Sequence, residues 1–443
     1  MRKPLIAVAA CLALAASAVA QTAPDTSWVR RSAIYEVFVR DFSPSGDLQG
    51  VVRGLDRIQS TGANVIWLMP IYPIGVQNRK GVLGSPYAVR DYHAINPDFG
   101  QPADLRALVT AVHARGMKLI LDWVPNHSAW DNRWVKEHPA FYVRNERGEI
   151  TVPRDDQGRL TDWTDVAQLD YKNPELRRAM IAAMRWWLDR YDIDGLRVDA
   201  AGFVPDDFWR EAVPALRAAV RRPILLLAEW GDLKMHRFGF DLTYSWDSYG
   251  RLKAVWKGAP ASSFLPRELD DMRAMPPGGR RLRFTTNHDE TAWDAPPVTL
   301  FGGAAGARAA YVLMALLPGR PLLYDGQEVE SPQKLGLFVR DTVAWAQPDS
   351  GTVRAFYRRV LQLVLTDSSV VAGDFRPLET NAADDVIAYA RGGAVVLVNT
   401  RNHAVAVVVA GCDVKGTRDR LTDRAQASDT VALAPYGAVV LER

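Results

Sequence analysis

Cysteine is almost absent. Cys11 and Cys412 are the only two in 443 residues, so no disulfide framework can replace a hydrophobic core. Charge of one sign is lacking as well. The 54 basic and 51 acidic residues leave a formal net charge of +3, and no basic block suits a phosphate backbone, which excludes nucleic acid as a partner. Beyond the N-terminus no apolar run is long enough for a membrane span. There is no internal repeat and no low-complexity segment. His93, His113, His138 and His236 stand away from cysteine or acid at metal-ligand spacing, which excludes a zinc site.

What is present is apolar bulk. Hydrophobic residues make up 48% of the chain, enough for one large domain and a small one. The opening residues "MRKPLIAVAACLALAASAVAQTA" put Arg2 and Lys3 before a short apolar run, and Ala18-Val19-Ala20 before Gln21. This is the order of a secretory signal peptide over residues 1–20, so the protein is expected to be exported, to the periplasm or the medium, and to lose Cys11.

Eight short apolar runs follow: "AIYEVFV" (33–39), "NVIWLM" (64–69), "KLILDW" (118–123), "GLRVDA" (195–200), "ILLLAEW" (224–230), "FDLTYSW" (240–246), "LRFTTN" (282–287) and "PLLYDG" (321–326). Amphipathic stretches such as "PELRRAMIAAMRWWLDRY" separate most of them. Strand and helix in alternation predict parallel strands covered on both faces, and eight units predict an α/β fold, the (β/α)8 TIM barrel. The barrel is expected over residues 21–368. A long polar, Trp-rich stretch after the third strand predicts a small inserted domain at 124–167. Apolar segments with Asn/Asp/Gly turns predict a C-terminal antiparallel β domain, a β-sandwich, over 369–443.

In such a barrel the active site lies at the C-terminal ends of the strands. Asp122 and His127 belong to the third strand's end, Arg197 and Asp199 to the fourth, Glu229 to the fifth, and Asn287, His288 and Asp289 follow the seventh. Carboxylates gathered on one rim fit glycoside hydrolysis, in which one carboxylic acid protonates the leaving oxygen and a second carboxylate acts on the sugar carbon. Their environments must then differ. Arg197, two residues from Asp199 and on the same side of the strand, is expected to hold Asp199 ionised as the nucleophile. Glu229, between an apolar run and Trp230, is expected to have a raised pKa and to serve as the acid.

"DWVPNH" (122–127), "GLRVDA" (195–200), "AEW" (228–230) and "TNHDE" (286–290) resemble, in order, the four sequence regions of the α-amylase family of glycoside hydrolases. "QLDY" (168–171) resembles a further region near the end of the family's inserted domain, and "SPYAVRDYHAINPDFG" (85–100) the stretch after its second strand. The resemblance covers nearly the whole mature chain. It implies Asp199 as nucleophile, Glu229 as general acid/base and Asp289 as the third catalytic carboxylate. It further implies sugar contacts from Tyr87, His127, Arg197, Trp230 and His288, with Asp122 and Asn287 in support. The implied reaction is retaining cleavage of α-1,4-glucosidic bonds in starch or maltooligosaccharides through a covalent glycosyl-enzyme, with an α-glucan substrate and no cofactor needed for the chemistry. Transglycosylation by the same site stays open, while a non-catalytic carbohydrate-binding barrel is disfavoured because all three carboxylates are present. Trp130, Trp134 and Trp163 could be sugar platforms or the core of the inserted domain.

The chain also departs from the family. Many members have Lys-His where Gly202 and Phe203 stand here; the lysine helps to hold leaving-side sugars and the histidine backbone often helps to hold a structural calcium. Asn126 matches another calcium ligand, but one Asn does not make a site that needs six or more oxygens. A structural calcium is therefore doubtful.

Overall fold

The computed structural model describes residues 27–220, 222–347, 350–366, 370 and 373–443. The expected signal peptide, with Cys11, lies outside the described residues.

Strands β1 (Ile34–Val37), β2 (Val65–Leu68), β3 (Lys118–Trp123), β6 (Gly195–Val198), β7 (Leu225–Ala228), β8 (Leu242–Tyr244), β9 (Arg280–Arg283) and β10 (Arg320–Tyr324) form one closed parallel barrel. Closure comes at β1, where Ile34 stands opposite both Val65 of β2 and Leu322 of β10. Nearly every barrel strand residue is buried, as expected where helices cover the outside and side chains fill the inside. The helix Pro174–Tyr191 shows how the outer layer is specified. Asn173 caps it by accepting from the N–H groups of Glu175 and Leu176, Pro174 opens the first turn, and Leu176, Met180, Ala183, Met184, Trp187, Leu188 and Tyr191 make one buried stripe.

The seventh barrel strand begins earlier than its apolar residues suggest, at Arg280 rather than Leu282. Arginines can enter this strand because they carry counter-ions with them. Arg281 pairs with Asp271, and Arg283 with Glu268 at 2.8 Å, both on the helix Phe264–Ala274.

After β3 the chain leaves the barrel. There β4 (His127–Ala129) pairs antiparallel with β5 (Val166–Gln168), while Trp134, Phe141 and Tyr142 join the main core. At the C-terminus β11 (Phe375–Pro377), β12 (Val386–Arg391), β13 (Ala394–Asn399), β15 (Arg418–Asp419) and β17 (Ala438–Glu442) form a five-stranded antiparallel sheet, and β14 (Val405–Val408) pairs with β16 (Thr430–Leu433). Alternation along β12 and β13 sends Ile387, Tyr389, Val396 and Val398 into the main core and Val386, Ala388, Val395 and Leu397 into a second one with Val407 and Val431. The five-stranded sheet is thus covered by the barrel on one face and by β14 and β16 on the other. Among the described residues no helix is long and apolar enough to cross a membrane.

Candidate active site

Because the barrel strands are parallel, the residues that follow them converge on one rim. A cavity of about 310 Å³ opens there, lined by Asp199, Glu229, Asp289, Tyr87 and His127 among others. That volume is at the small end of the roughly 300–1,000 Å³ usual for ligand pockets.

Arg197 is the hub beneath it. Its side chain is fully buried in β6, directly opposite Asp122 of β3. Nη1 donates to Asp122 Oδ1 at 2.8 Å and to Asp199 Oδ1 at 3.1 Å, and Nη2 lies 2.7 Å from Glu229 Oε1. Glu229 is gripped from a second side. Ala200, in a left-handed conformation with φ of 45°, donates its N–H to Glu229 Oε2 at 2.7 Å. A left-handed alanine is unfavourable, and here it links the residue after Asp199 to the carboxylate at the end of the next strand.

These contacts change the electrostatic expectation. Arg197 is not reserved for Asp199, and Glu229 is not isolated in apolar surroundings. Burial, and next the charge of Glu229, push the Asp199 carboxyl well above the usual carboxylate range, with Arg197 only partly opposing them. Asp122 is pushed up to about 6, first by its burial. One guanidinium shared among Asp122, Asp199 and Glu229 does not offset the burial of the first two, whose carboxyls are both raised.

The two site histidines carry opposite charge. His127 is pushed down to about 3 by burial and stays neutral; its ring meets Trp163 edge-on at 5.5 Å. His288 is equally buried, but Asp289 and Glu36 overcome the cost of burial and raise it well above the usual histidine range. Its Nδ1 contacts Glu36 Oε1, and its Nε2 lies 3.3 Å from Asp289 Oδ2 and 2.7 Å from the Tyr87 hydroxyl. Asp289 is in turn held below its ordinary pKa against burial, chiefly by the charge of His288. Asn287 caps the helix His288–Trp293 by accepting from the Glu290 N–H at 2.9 Å, which sets the direction in which Asp289 leaves the strand end.

Arg197, Asp122, His288 and Asn287 lie behind the cavity wall and position what lines it. Trp230 is not among the residues that line it. Its ring packs on Phe203, with centroids 5.1 Å apart, and over Gly202, where an added Cβ would stand 1.9 Å from the indole. The indole occupies the space that a longer side chain at position 202 would need. Of the three tryptophans of the inserted segment, Trp163 lines the cavity, Trp134 is buried, and Trp130 donates Nε1 to the Thr164 carbonyl.

Several lining residues escaped the sequence reading. Lys80, in the loop after β2, donates to the Asp162 carbonyl at 2.9 Å and lies 3.6 Å from Asp165, tying that loop to the inserted segment. On the other side the Leu83 N–H donates to the Phe338 carbonyl at 3.0 Å, and buried Arg40 donates to the carbonyls of Gly84 and Leu337. Three loops therefore make one continuous wall. Nothing in "QNRKGVLG" distinguishes Lys80 from a solvated surface lysine. Trp293 was legible in principle: it is four residues after Asp289 on the same helix, hence on the same face, and it is 64% exposed at the cavity.

A closed (β/α)8 barrel with three carboxylates at its C-terminal rim is an arrangement that glycoside hydrolysis can use. The comparisons with known proteins agree. A sequence model described as alpha amylase, catalytic domain, matches residues 19–158 and 159–219. The alpha-amylase MalA of Haloarcula japonica is 29% identical over 401 residues, a match that covers 86% of this chain and 56% of that protein's length. Among solved structures, an alpha-amylase from Lactobacillus plantarum superposes with a TM-score of 0.83 at 29% identity, covering 94% of this chain and 99% of that one. A maltogenic alpha-amylase, AmyB, from Thermotoga neapolitana gives a TM-score of 0.79 at 28% identity, covering 94% and 96%. In sequence and in fold the chain is similar to the α-amylase family of glycoside hydrolases.

Proposed function

We propose that this enzyme cleaves α-1,4-glucosidic bonds in starch or maltooligosaccharides with retention of configuration. Asp199 attacks the anomeric carbon, Glu229 protonates the leaving oxygen and then activates water, and Asp289 holds sugar hydroxyls. The observation that carries this reading is that Asp199, Glu229 and Asp289 line one cavity while Arg197 and the Ala200 N–H tie the first two to each other. Attack requires Asp199 in its ionised form, which the Arg197 guanidinium, 3.1 Å from Asp199 Oδ1, favours against burial. Neutral His127 can accept or donate a hydrogen bond to a sugar hydroxyl, and cationic His288 keeps Asp289 ionised. Because His288 is itself behind the wall, its part is to position.

We also propose that no calcium is required between the barrel and the inserted segment. The Asn126 side-chain Nδ2 is turned to His127 Nδ1 at 3.2 Å, the Asn126 main-chain carbonyl accepts from the Leu169 N–H, and the Phe203 ring packs on Trp163 and Trp230. This donor set does not fit an ion that takes six to eight oxygens.

The test combines product stereochemistry with two variants. NMR of maltoheptaose digests should show α-anomers released first. Glu229→Gln should lose about 10²–10⁴-fold on starch yet still react with an α-glucosyl fluoride, whose leaving group needs no proton. Asp199→Asn should fail on both, since it lacks the attacking oxygen. Initial β-anomers, or an Asp199→Asn enzyme with near-normal starch hydrolysis, would overturn the reading.

A further inference from the structure

At the opposite end of the barrel from the active site, a second cavity of about 350 Å³ lies between the barrel floor and the edge of the C-terminal sheet. Its wall includes Arg280 and Arg320, which open β9 and β10, and Arg391, which ends β12. Arg281 and Arg283 also line it, but their charges are committed to Asp271 and Glu268. The other three arginines have no carboxylate partner among the described residues.

Burial makes this costly. Arg320 and Arg391 are each only 3% exposed. Arg391 donates Nη1 to the carbonyls of Leu316 and Leu317, while its Nε has no hydrogen-bond partner among the described residues. Arg320 is barer still: neither Nε nor Nη1 has a hydrogen-bond partner among the described residues. Arg283 Nη2, on the same wall, is likewise unpartnered. Arg280 is half-buried and gives Nη1 to the Gly279 carbonyl. Two carboxylates line the cavity, Asp271 and Asp374; the first is engaged by Arg281 and the second is exposed. Burial, followed by the charges of Arg391, Arg280 and Arg31, pushes Arg320 down to about 9, and Arg391 is pushed down to about 10, first by its burial.

A buried guanidinium without a counter-ion is among the least favourable groups a fold can hold. Planar forks of N–H donors that converge on one cavity suit a tetrahedral oxyanion, which can take several charge-assisted hydrogen bonds at once. We propose that this cavity is an anion site for phosphate or sulfate, held by Arg320, Arg391 and Arg280. The anion would join β9 and β10 of the barrel to β12 of the C-terminal sheet, so its effect is on the stability of that junction and not on the chemistry at the other rim.

The experiment is a thermal melt of the whole chain in inorganic phosphate, in sulfate and in chloride at matched ionic strength, with isothermal titration of phosphate for stoichiometry. Phosphate at a hundredfold over its Kd should raise Tm by about 3 °C beyond chloride, with one site per chain; the sulfate series shows whether the site distinguishes the two oxyanions. Arg320→Met and Arg280→Gln, checked for folding by circular dichroism, should lose the phosphate-specific rise. If Arg320→Met does not fold, half-buried Arg280 carries the comparison alone. Equal shifts in phosphate and chloride, or a phosphate response that survives in every folded variant, overturns the site.

Discussion

His127 and His288 bring the same imidazole into one site in opposite protonation states, and the difference lies in their neighbours. Among the described residues no carboxylate pairs with His127, so burial outweighs the opposing hydrogen bond with the Tyr87 main chain and holds it at about 3. His288 lies between Glu36 and Asp289 and keeps its proton. The consequences for stability have opposite signs. A histidine raised in the fold contributes below its unfolded pKa, and that contribution is lost as pH rises through the folded value. For His127 the fold refuses a proton that the unfolded chain accepts, so stability falls as pH drops from about 6.5 towards about 3, by up to about 1.4 kcal/mol per pH unit. His127→Gln should remove that slope. Urea unfolding at a series of pH values measures it, and an unchanged slope between pH 6 and 4 (about the middle of the window) would show that the ring is not held neutral.

At the scale of an element, the short 3-10 turn Ala201–Phe203 explains the departure from the family at Gly202 and Phe203. It follows Ala200, whose left-handed backbone turns the chain towards Glu229, and it lies under the Trp230 indole. Even a methyl group at 202 would meet the ring at 1.9 Å, so a lysine there requires that Trp230 move. Gly202→Ala is therefore expected to cost about 1–3 kcal/mol by overpacking, seen as a lower Tm. Trp230→Leu in the same chain should recover part of that loss, because the partner that causes the clash is gone. If Gly202→Ala melts like the wild type, the indole is free to move aside. The strand β9 makes a related point. It starts two residues before and ends four residues before the apolar run at 282–287: arginine reads as a strand boundary, whereas Asp271 and Glu268 on a neighbouring helix allow Arg281 and Arg283 to enter the barrel.

For the whole molecule, stability rests on continuous apolar packing. The main core runs from the barrel into the C-terminal sheet through Ile387, Tyr389, Val396 and Val398, the Tyr389 hydroxyl donates to the Leu313 carbonyl at 3.2 Å, and Cys412 is a free thiol. The proposal that no calcium is required at the inserted segment is tested at this scale. Chelation with EDTA should leave both Tm and glucan hydrolysis unchanged. A clear fall in both, restored by calcium and not by magnesium, would refute this, since a ligand of the folded state alone raises apparent stability with its concentration.

The sequence by itself determined the barrel and its rim. Eight apolar runs and the amphipathic stretches between them are local patterns, set by backbone period and side-chain burial, and parallel strands oblige the residues after them to meet on one face. Asp199, Glu229 and Asp289 were legible for that reason, and so was the place of Arg197 beside them. What only the tertiary structure decided depends on distance between residues far apart in the chain. Glu36 beside His288, Lys80 at the cavity wall, Trp230 packed over Gly202, and Arg320 sharing a cavity with Arg391 and Arg280 have no local signature. The same holds for the raised carboxyls of Asp122 and Asp199. A pKa is a sum over burial and neighbouring charge, and those neighbours are assembled only when the barrel closes and β3, β6 and β7 set Asp122, Arg197 and Glu229 side by side.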